Sequence, residues 1–403
     1  AAAQVAPTVT DKGVEDRFPE GMVFHVIAQS DSPIEKVRLR YTILPDGTAA
    51  TAQVDFQPGA SVAASFTLSG NDPPRIYLPP GTVIQYSWQV TDADGDTTST
   101  EPATFFYEDA RFHWTHVESG GVTVYYYSGS EADAREMLDV AAQTIASMSG
   151  LLGASIDFPV KVWAYDSVQD MRPALARRSD TYEQSVITAG VRVASDTVLV
   201  LGNVAFDTLR HELTHVVTGV AGEGSFAALP AWLDEGTAVY GQKDPDGFRD
   251  AVERAVARRS VLSVRSISSP PGEPDKVNLF YGEAWSLVSF LVDTHGPEKF
   301  AQLFAAIKSG KTTDEALTAV YGFDQDGLEN AWRASHALPP REPAPANGQQ
   351  PQATPGGSQA PAASGTGDGG GASIGLILGL IAGMLALAAA VGAAGWALAR
   401  RLR

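Results

Sequence analysis

Apolar and polar residues alternate through the first quarter of the chain. In residues 36–43 every second side chain is apolar, and the positions between them are Lys, Arg or Thr. This period of two is typical of a strand with one buried face. Similar runs, separated by turns rich in Pro, Asp and Gly, occur at residues 22–28, 51–56, 61–68 and 83–90. The pattern predicts an all-β sandwich over residues 14–108, preceded by a disordered segment, 1–13.

After residue 108 the pattern becomes a mixture of strands and helices. Ser130, followed by Asp133 three positions later, is a capping-box-like helix start. Strands are predicted at 122–127, 160–165 and 197–201, and helices at 206–217, 229–238, 283–292, 297–307, 313–320 and 326–335. We therefore expect an α+β unit over residues 109–337.

The C-terminal part of the chain has two compositions. Residues 338–372 are mostly Pro, Ala, Gly, Gln and Ser, which predicts a flexible linker. Residues 373–398 carry no charge and are long enough to cross a hydrocarbon core of roughly 30 Å. The sequence therefore predicts one transmembrane helix, and its Gly375, Gly379 and Gly383 form a small-residue seam that could support a weak dimer.

The basic tail at 399–403, with Arg400, Arg401 and Arg403, predicts the orientation of that helix. By the positive-inside rule the tail is cytoplasmic and the preceding domains are extracellular. Export requires a signal peptide, and the Ala-Ala-Ala start resembles the product of signal-peptide cleavage. We expect a single-pass protein of the cell membrane.

Charge and cysteine content exclude several functions. Acidic residues outnumber basic ones, 47 to 29, for a formal net charge of −18, which disfavours nucleic acid as a partner. The sequence has no cysteine, which excludes disulfides, thiolate metal sites and cysteine nucleophiles. A metal site would have to use histidines and carboxylates.

The segment His-Glu-Leu-Thr-His at 211–215 lies in a predicted helix. Histidines four positions apart share one helix face, so His211 and His215 can bind the same Zn²⁺ ion, while Glu212 can reach a water molecule on the metal. The alternative is a pair of ordinary histidines on a packing helix. Three protein ligands would leave a fourth position for water, with Glu212 as the general base.

The third zinc ligand is predicted on the next helix. Glu235 lies 20 residues after His215 and shares an apolar face with Trp232 and Val239, where an unpaired charge would be unfavourable. The alternative is a purely structural carboxylate. Asp234 points roughly 100° away from Glu235, and we expect it to be a solvated carboxylate in the first turn of the helix.

These segments, with Trp-Leu-Asp-Glu-Gly at 232–236 and Tyr-Gly-Glu-Ala-Trp at 281–285, resemble the gluzincin metallopeptidases, in particular their peptidase-MA-like domains. The resemblance implies zinc as cofactor, His211, His215 and Glu235 as its ligands and Glu212 as general base. It also implies an oxyanion donor, for which Tyr281 is the candidate and Tyr240 the reserve; the alternative for Tyr281 is a packing role.

The sequence departs from members of that family at two points, one bearing on the substrate and one on the orientation of the zinc histidines. The Gly-x-Met-Glu-Asn segment of aminopeptidases is absent, which favours an endopeptidase. Val239 stands where thermolysin-like enzymes have an aspartate, so the residues that orient the zinc histidines are not predicted. The strand at 197–201 is interpreted either as the cleft-edge strand that aligns a peptide or as a buried central strand.

The sequence therefore predicts a membrane-anchored extracellular zinc metallopeptidase that acts on peptides or proteins. The alternative is a catalytically inactive cell-surface protein that binds or adheres through an immunoglobulin-like or fibronectin-like sandwich.

Overall fold

The computed structural model describes residues 6–69, 76–176, 189–202, 206–224 and 228–341, which form a β-rich unit followed by a mixed α and β unit. The predicted membrane helix and nearly all of the predicted linker lie outside these ranges. Within them, no helix has both the length and the apolar character needed to cross a membrane.

The β-rich unit is built around one long strand. Its strands are β1 (Thr8–Asp16), β2 (Gly21–Leu44), β3 (Thr48–Val54), β4 (Gly59–Ser69), β5 (Val83–Asp92), β6 (Thr97–Ser99) and β7 (Ala103–Phe106). The first half of β2 pairs with β1 and β4, and its second half pairs with β3 and β5. Phe24 from the first half of β2, Leu39 from its second half and Trp88 of β5 share one core, so the sheet folds over on itself. The predicted β-rich region is present.

Strand β1 corrects the N-terminal boundary. It begins at Thr8 and pairs with β2 as far as Asp16, so the part of the segment 1–13 from Thr8 onward is ordered in the sheet. The resemblance to immunoglobulin or fibronectin domains stays a prediction.

The second unit contains a five-stranded sheet. Its strands are β8 (Thr115–Ser119), β9 (Val122–Tyr126), β10 (Val160–Tyr165), β11 (Gly190–Ala194) and β12 (Thr197–Leu201), in the order β11-β12-β10-β9-β8. Strands β9, β10 and β12 are parallel, and β11 is an antiparallel edge strand. Strand β12 pairs on both sides and is fully buried. Of the two interpretations of residues 197–201, the buried internal strand is the one observed, and β11 forms the edge.

The helices of this unit divide into two groups. The individual helices are α1 (Glu131–Leu152), α2 (Val168–Met171), α3 (Phe206–Gly222), α4 (Ala231–Tyr240), α5 (Asp246–Arg258), α6 (Val277–His295), α7 (Pro297–Lys308), α8 (Thr313–Tyr321) and α9 (Gln325–Ser335). Helices α1 and α3 share a core with the sheet, and the later helices form a second core. The predicted capping box is present, because the Asp133 N–H donates to Ser130 Oγ and the Ser130 N–H donates to Asp133 Oδ2.

Aromatic side chains join the two units. Phe106 of the β-rich unit stacks on Trp163 of β10, with ring centroids 6.2 Å apart. The Tyr77 hydroxyl donates to the Ala174 carbonyl at 2.7 Å, across the same boundary. The β-rich unit therefore packs directly against one face of the second sheet, where Phe18 and Phe106 join the cluster around Trp163.

The last described residues pack on the helices. Leu338 is buried, and Arg341 pairs with buried Glu329 and donates to the Val261 carbonyl at 3.0 Å. Chain packing thus continues past the predicted linker boundary at 338. Glu283 of α6 accepts the Leu262 N–H at 2.9 Å, so two buried carboxylates anchor the segment after α5.

Glu283 makes the stability of this unit pH-dependent. Burial raises the pKa of Glu283 from its ordinary value of 4.5 to about 8, so the folded state favours the protonated acid. The free energy of unfolding must therefore fall as the pH rises from about 4.5 to about 8. Glu283→Gln keeps an acceptor for Leu262 and cannot titrate. We expect the wild type to lose roughly 1 kcal/mol per pH unit relative to this variant between about pH 5 and 8.

Urea unfolding at a series of pH values measures this difference. Glu298→Gln, at an exposed position of α7, is the matched control. Parallel stability profiles for the wild type, Glu283→Gln and the control would contradict the prediction.

Candidate metal centre

The two histidines are presented by helix α3, whose apolar side chains Leu209, Leu213 and Val216 are buried against the sheet. His211 and His215 lie on the opposite face of the helix and are themselves buried. Their Nε2 atoms are 3.2 Å apart. The spacing of four residues therefore directs both imidazoles to one point, as the sequence predicts.

Helix α4 brings the third predicted residue to the same point. Oε2 of Glu235 lies 3.3 Å from Nε2 of His211 and 3.4 Å from Nε2 of His215. All three side chains are buried, and they are the one group of potential metal ligands found in the described part of the chain.

The spacing of these atoms fits zinc. Ligand atoms about 2.0 to 2.2 Å from a tetrahedral Zn²⁺ ion are about 3.3 to 3.5 Å from one another. In the described chain, the buried Oε2 of Glu235 also has no hydrogen-bond partner. Such a carboxylate oxygen facing two imidazole nitrogens is unfavourable unless a cation joins them. Two nitrogens and one oxygen form a donor set that zinc commonly takes.

Asp234 corrects the sequence prediction. It is buried rather than solvated, and its Oδ1 lies 3.0 Å from Nδ1 of His215. The same oxygen accepts the Thr218 hydroxyl at 2.5 Å. Burial would raise the pKa of Asp234, but His215 lowers it below its ordinary range. A carboxylate on Nδ1 fixes the tautomer that leaves Nε2 free to bind a metal.

His211 has a corresponding neighbour. Nε2 of Gln242, just after α4, lies 3.0 Å from Nδ1 of His211, and the same amide turned by 180° would present its oxygen to a proton held there. Each imidazole is thus oriented through the nitrogen that faces away from the metal point. Neither Asp234 nor Gln242 is predicted in this role from the sequence; the position of Asp234 beside Glu235 is the available signal.

Glu212 is held by the edge strand. Its Oε2 accepts the backbone N–H of Arg192, in β11, at 2.9 Å. Burial raises the pKa of Glu212, although the neighbouring imidazoles oppose the shift. The Arg192 guanidinium also donates to the His215 carbonyl at 2.5 Å and pairs with Glu223 at 3.2 Å. Arg192 therefore ties β11 to α3 at the candidate base and farther toward the C-terminal end of the helix.

The two tyrosine candidates lie in different surroundings. Tyr281 is buried in the second turn of α6, and its ring centroid is 6.1 Å from that of His211. Tyr240 is half-buried against the helical core, and burial, with Asp293 nearby, raises its pKa. Tyr281 is the candidate that the fold brings beside a predicted ligand.

Gly236 sets how closely α4 approaches α6. A Cβ atom at this position would lie 2.3 Å from the Ala284 carbonyl oxygen, which no side chain can tolerate. The glycine directly after Glu235 therefore allows the ligand helix to sit against α6, and so near Tyr281.

Comparison with known protein families gives one match, within the second unit. Residues 140–337 match the Peptidase MA superfamily. No curated protein matches the chain at a significant level of sequence similarity.

Two solved structures are similar to parts of the chain. One is a mutant of the M1 zinc metallopeptidase from Deinococcus radiodurans, with 13% identity and a TM-score of 0.39 over 83% of this chain and 96% of that chain. The other is the Br derivative of BhCBM56, with 14% identity and a TM-score of 0.18 over 26% of this chain and 96% of that chain. At these TM-scores neither likeness specifies a substrate or a site.

The contact between Asp234 and His215 predicts a loss of metal affinity when the charge is removed. Asp234→Asn leaves a side chain of the same size that holds the imidazole less firmly. We expect zinc affinity to fall by about 10-fold to 100-fold, measured by competition with a chromophoric chelator. The matched control is Asp250→Asn, at an exposed position of α5, and equal affinities for the two variants would rule out this role.

Proposed function

We propose that this chain, whose residues 140–337 match the Peptidase MA superfamily, is a zinc-dependent metallopeptidase of the gluzincin type. His211, His215 and Glu235 are the zinc ligands. The observation that carries the proposal is the buried triangle of their donor atoms, with edges of 3.2, 3.3 and 3.4 Å. The carboxylate of Glu212, between the two histidines in sequence, supplies the group that a hydrolase needs beside a metal.

A zinc ion at this point would act as a Lewis acid on the scissile carbonyl and would activate water as the nucleophile. The protein residues carry the proton. Glu212 takes a proton from the attacking water and passes it to the departing amine, as a general base and then a general acid. Burial of its carboxylate, which raises its pKa, suits a group that must hold a proton between two steps.

The Arg192 N–H, Tyr281 and strand β11 have the remaining roles in the proposed reaction. The Arg192 N–H holds one oxygen of Glu212, which leaves the other oxygen for the proton transfers. Tyr281, beside His211, is the proposed donor to the oxyanion that forms on the peptide carbonyl. The edge strand β11 is the proposed backbone along which an extended peptide pairs, because pairing by strand addition needs an unpaired sheet edge.

We place the enzyme as an endopeptidase at the outer face of a cell membrane. The absent aminopeptidase segment supports endopeptidase action. The uncharged stretch at 373–398, followed by arginines, supports one membrane span with a cytoplasmic C-terminus. The complete set of ligands and base favours this enzyme over an inactive binding protein.

Glu212→Gln tests the proposal. Glutamine keeps the size of the side chain and cannot take the proton, so we expect kcat/KM on a peptide library to fall by about 10²-fold to 10⁴-fold. Zinc content, measured by elemental analysis, should stay at one ion per chain. Removal of zinc with a chelator should abolish cleavage by the wild type, and added zinc should restore it.

The matched control is Glu136→Gln, at an exposed position of α1, which should cleave at the wild-type rate. The proposal fails if Glu212→Gln cleaves as fast as this control, or if the wild type retains no stoichiometric zinc.

A further inference from the structure

The outward face of strands β3, β2, β5 and β6 differs from the rest of this acidic chain. In the second half of β2 the residues at 37, 39 and 41 are buried, and those at 36, 38 and 40 are exposed. On the neighbouring strands, the residues paired with these exposed positions are Thr, Ser or Gln. Among these paired positions there is no carboxylate, although Glu35, next to Lys36 at the register shift between β2 and β5, is also exposed.

The exposed residues at 36, 38 and 40 are Lys36, Arg38 and Arg40, and together they are called the basic row here. They account for three of the five Lys and Arg residues in 14–108, in a chain with a net charge of −18. Within the described residues none of the three forms an ion pair. This local concentration of positive charge is a feature that the peptidase site does not use.

Neutral side chains hold the two arginines in place. Nε of Arg38 donates to Oε1 of Gln53 at 3.2 Å, and Nη2 of Arg40 donates to Oε1 of Gln89 at 3.3 Å. These bonds orient the guanidinium groups without neutralising them. Each group has five N–H donors, and in the described chain the others have no carboxylate to bind.

The face is concave at its Arg40 end. A groove of about 470 Å³ lies at Arg40, Thr42, Thr51, Gln85 and Ser87, so hydroxyl and amide groups surround the last member of the basic row. A flat bilayer surface cannot enter a groove of this kind, whereas a single extended chain can.

We propose that this face binds an acidic stretch of a polypeptide in extended conformation. Alternate residues of β2 are about 6.7 Å apart, and alternate residues of an extended peptide have the same spacing. Carboxylates at every second position of such a peptide can therefore meet Lys36, Arg38 and Arg40 in turn. The glutamines and hydroxyl groups beside them offer hydrogen bonds to the peptide backbone.

The hairpin that joins β2 to β3 brings the outward face close to the end of the edge strand β11. Asp46, at the tip of the β2–β3 hairpin, accepts the hydroxyl of Ser195 at 2.5 Å, and Ser195 directly follows β11. A peptide leaving the basic row toward this tip therefore arrives beside the end of β11. In this respect the inference rests on the proposed function, and the acidic stretch belongs to the substrate.

Peptide binding without turnover tests the inference separately from the enzyme activity. The full chain carrying Glu212→Gln is titrated into a labelled peptide of alternating glutamate and serine, and anisotropy gives Kd. Adding Lys36→Gln, Arg38→Gln and Arg40→Gln together should weaken binding by at least about tenfold, since each exposed ion pair contributes a fraction of a kcal/mol to about one. Added salt should weaken binding in the same direction.

Two controls separate a specific face from general charge. Arg135→Gln, Arg254→Gln and Lys311→Gln together change the net charge equally at exposed positions elsewhere and should leave Kd unchanged. A peptide of the same composition in the repeat Glu-Glu-Ser-Ser should bind the unaltered face more weakly, because half of its carboxylates lie on the opposite side of the extended chain.

Equal Kd values for the two triple variants, or for the two peptides, would overturn the inference. It would also be overturned if a sulfated polysaccharide or a phosphatidylglycerol vesicle, and not the peptide, bound in a way that depends on the basic row. Because the assay involves no cleavage, a negative result leaves the peptidase proposal intact, and loss of peptidase activity says nothing about this face.

Discussion

The buried meeting point of two imidazoles and a carboxylate, between α3 and α4, is the constraint on which the rest of the second unit depends. Three carboxylates are buried around it, those of Glu212, Asp234 and Glu235. Buried charges are tolerated only where they are paired and hydrogen-bonded. The surrounding contacts meet this requirement, because Thr218 and His215 serve Asp234, and the edge strand serves Glu212. The contacts that stabilise these buried carboxylates are therefore also the contacts that position the groups needed for metal binding.

The local features of the site could be predicted from the sequence. A spacing of four residues places His211 and His215 on one helix face whatever surrounds that helix, and Ser130 with Asp133 specifies a helix start by contacts three residues apart. The apolar run at 197–201 is long enough to identify a strand. Such features depend on interactions within one element, which a single sequence records.

Features that depend on neighbouring elements could not be predicted. The helical periodicity predicts that Asp234 points about 100° away from Glu235. It does not predict that α3 lies on that side of α4, where His215 contacts Asp234. The edge position of β11 depends on the order of strands in the sheet. Likewise, alternation identifies the exposed side of β2, whereas the neutral partners of Arg38 and Arg40 become known only from the register of β3 and β5.

The hydrogen bond between β11 and the candidate base limits how a peptide can lie along this edge. An edge strand normally offers its outward N–H groups to an incoming strand, but that of Arg192 already points to Glu212. A bound chain must take its hydrogen bonds from other backbone groups of β11. In the proposed mode of peptide binding, the position of the cleaved bond along β11 is tied to Arg192, whose amide is held by Glu212.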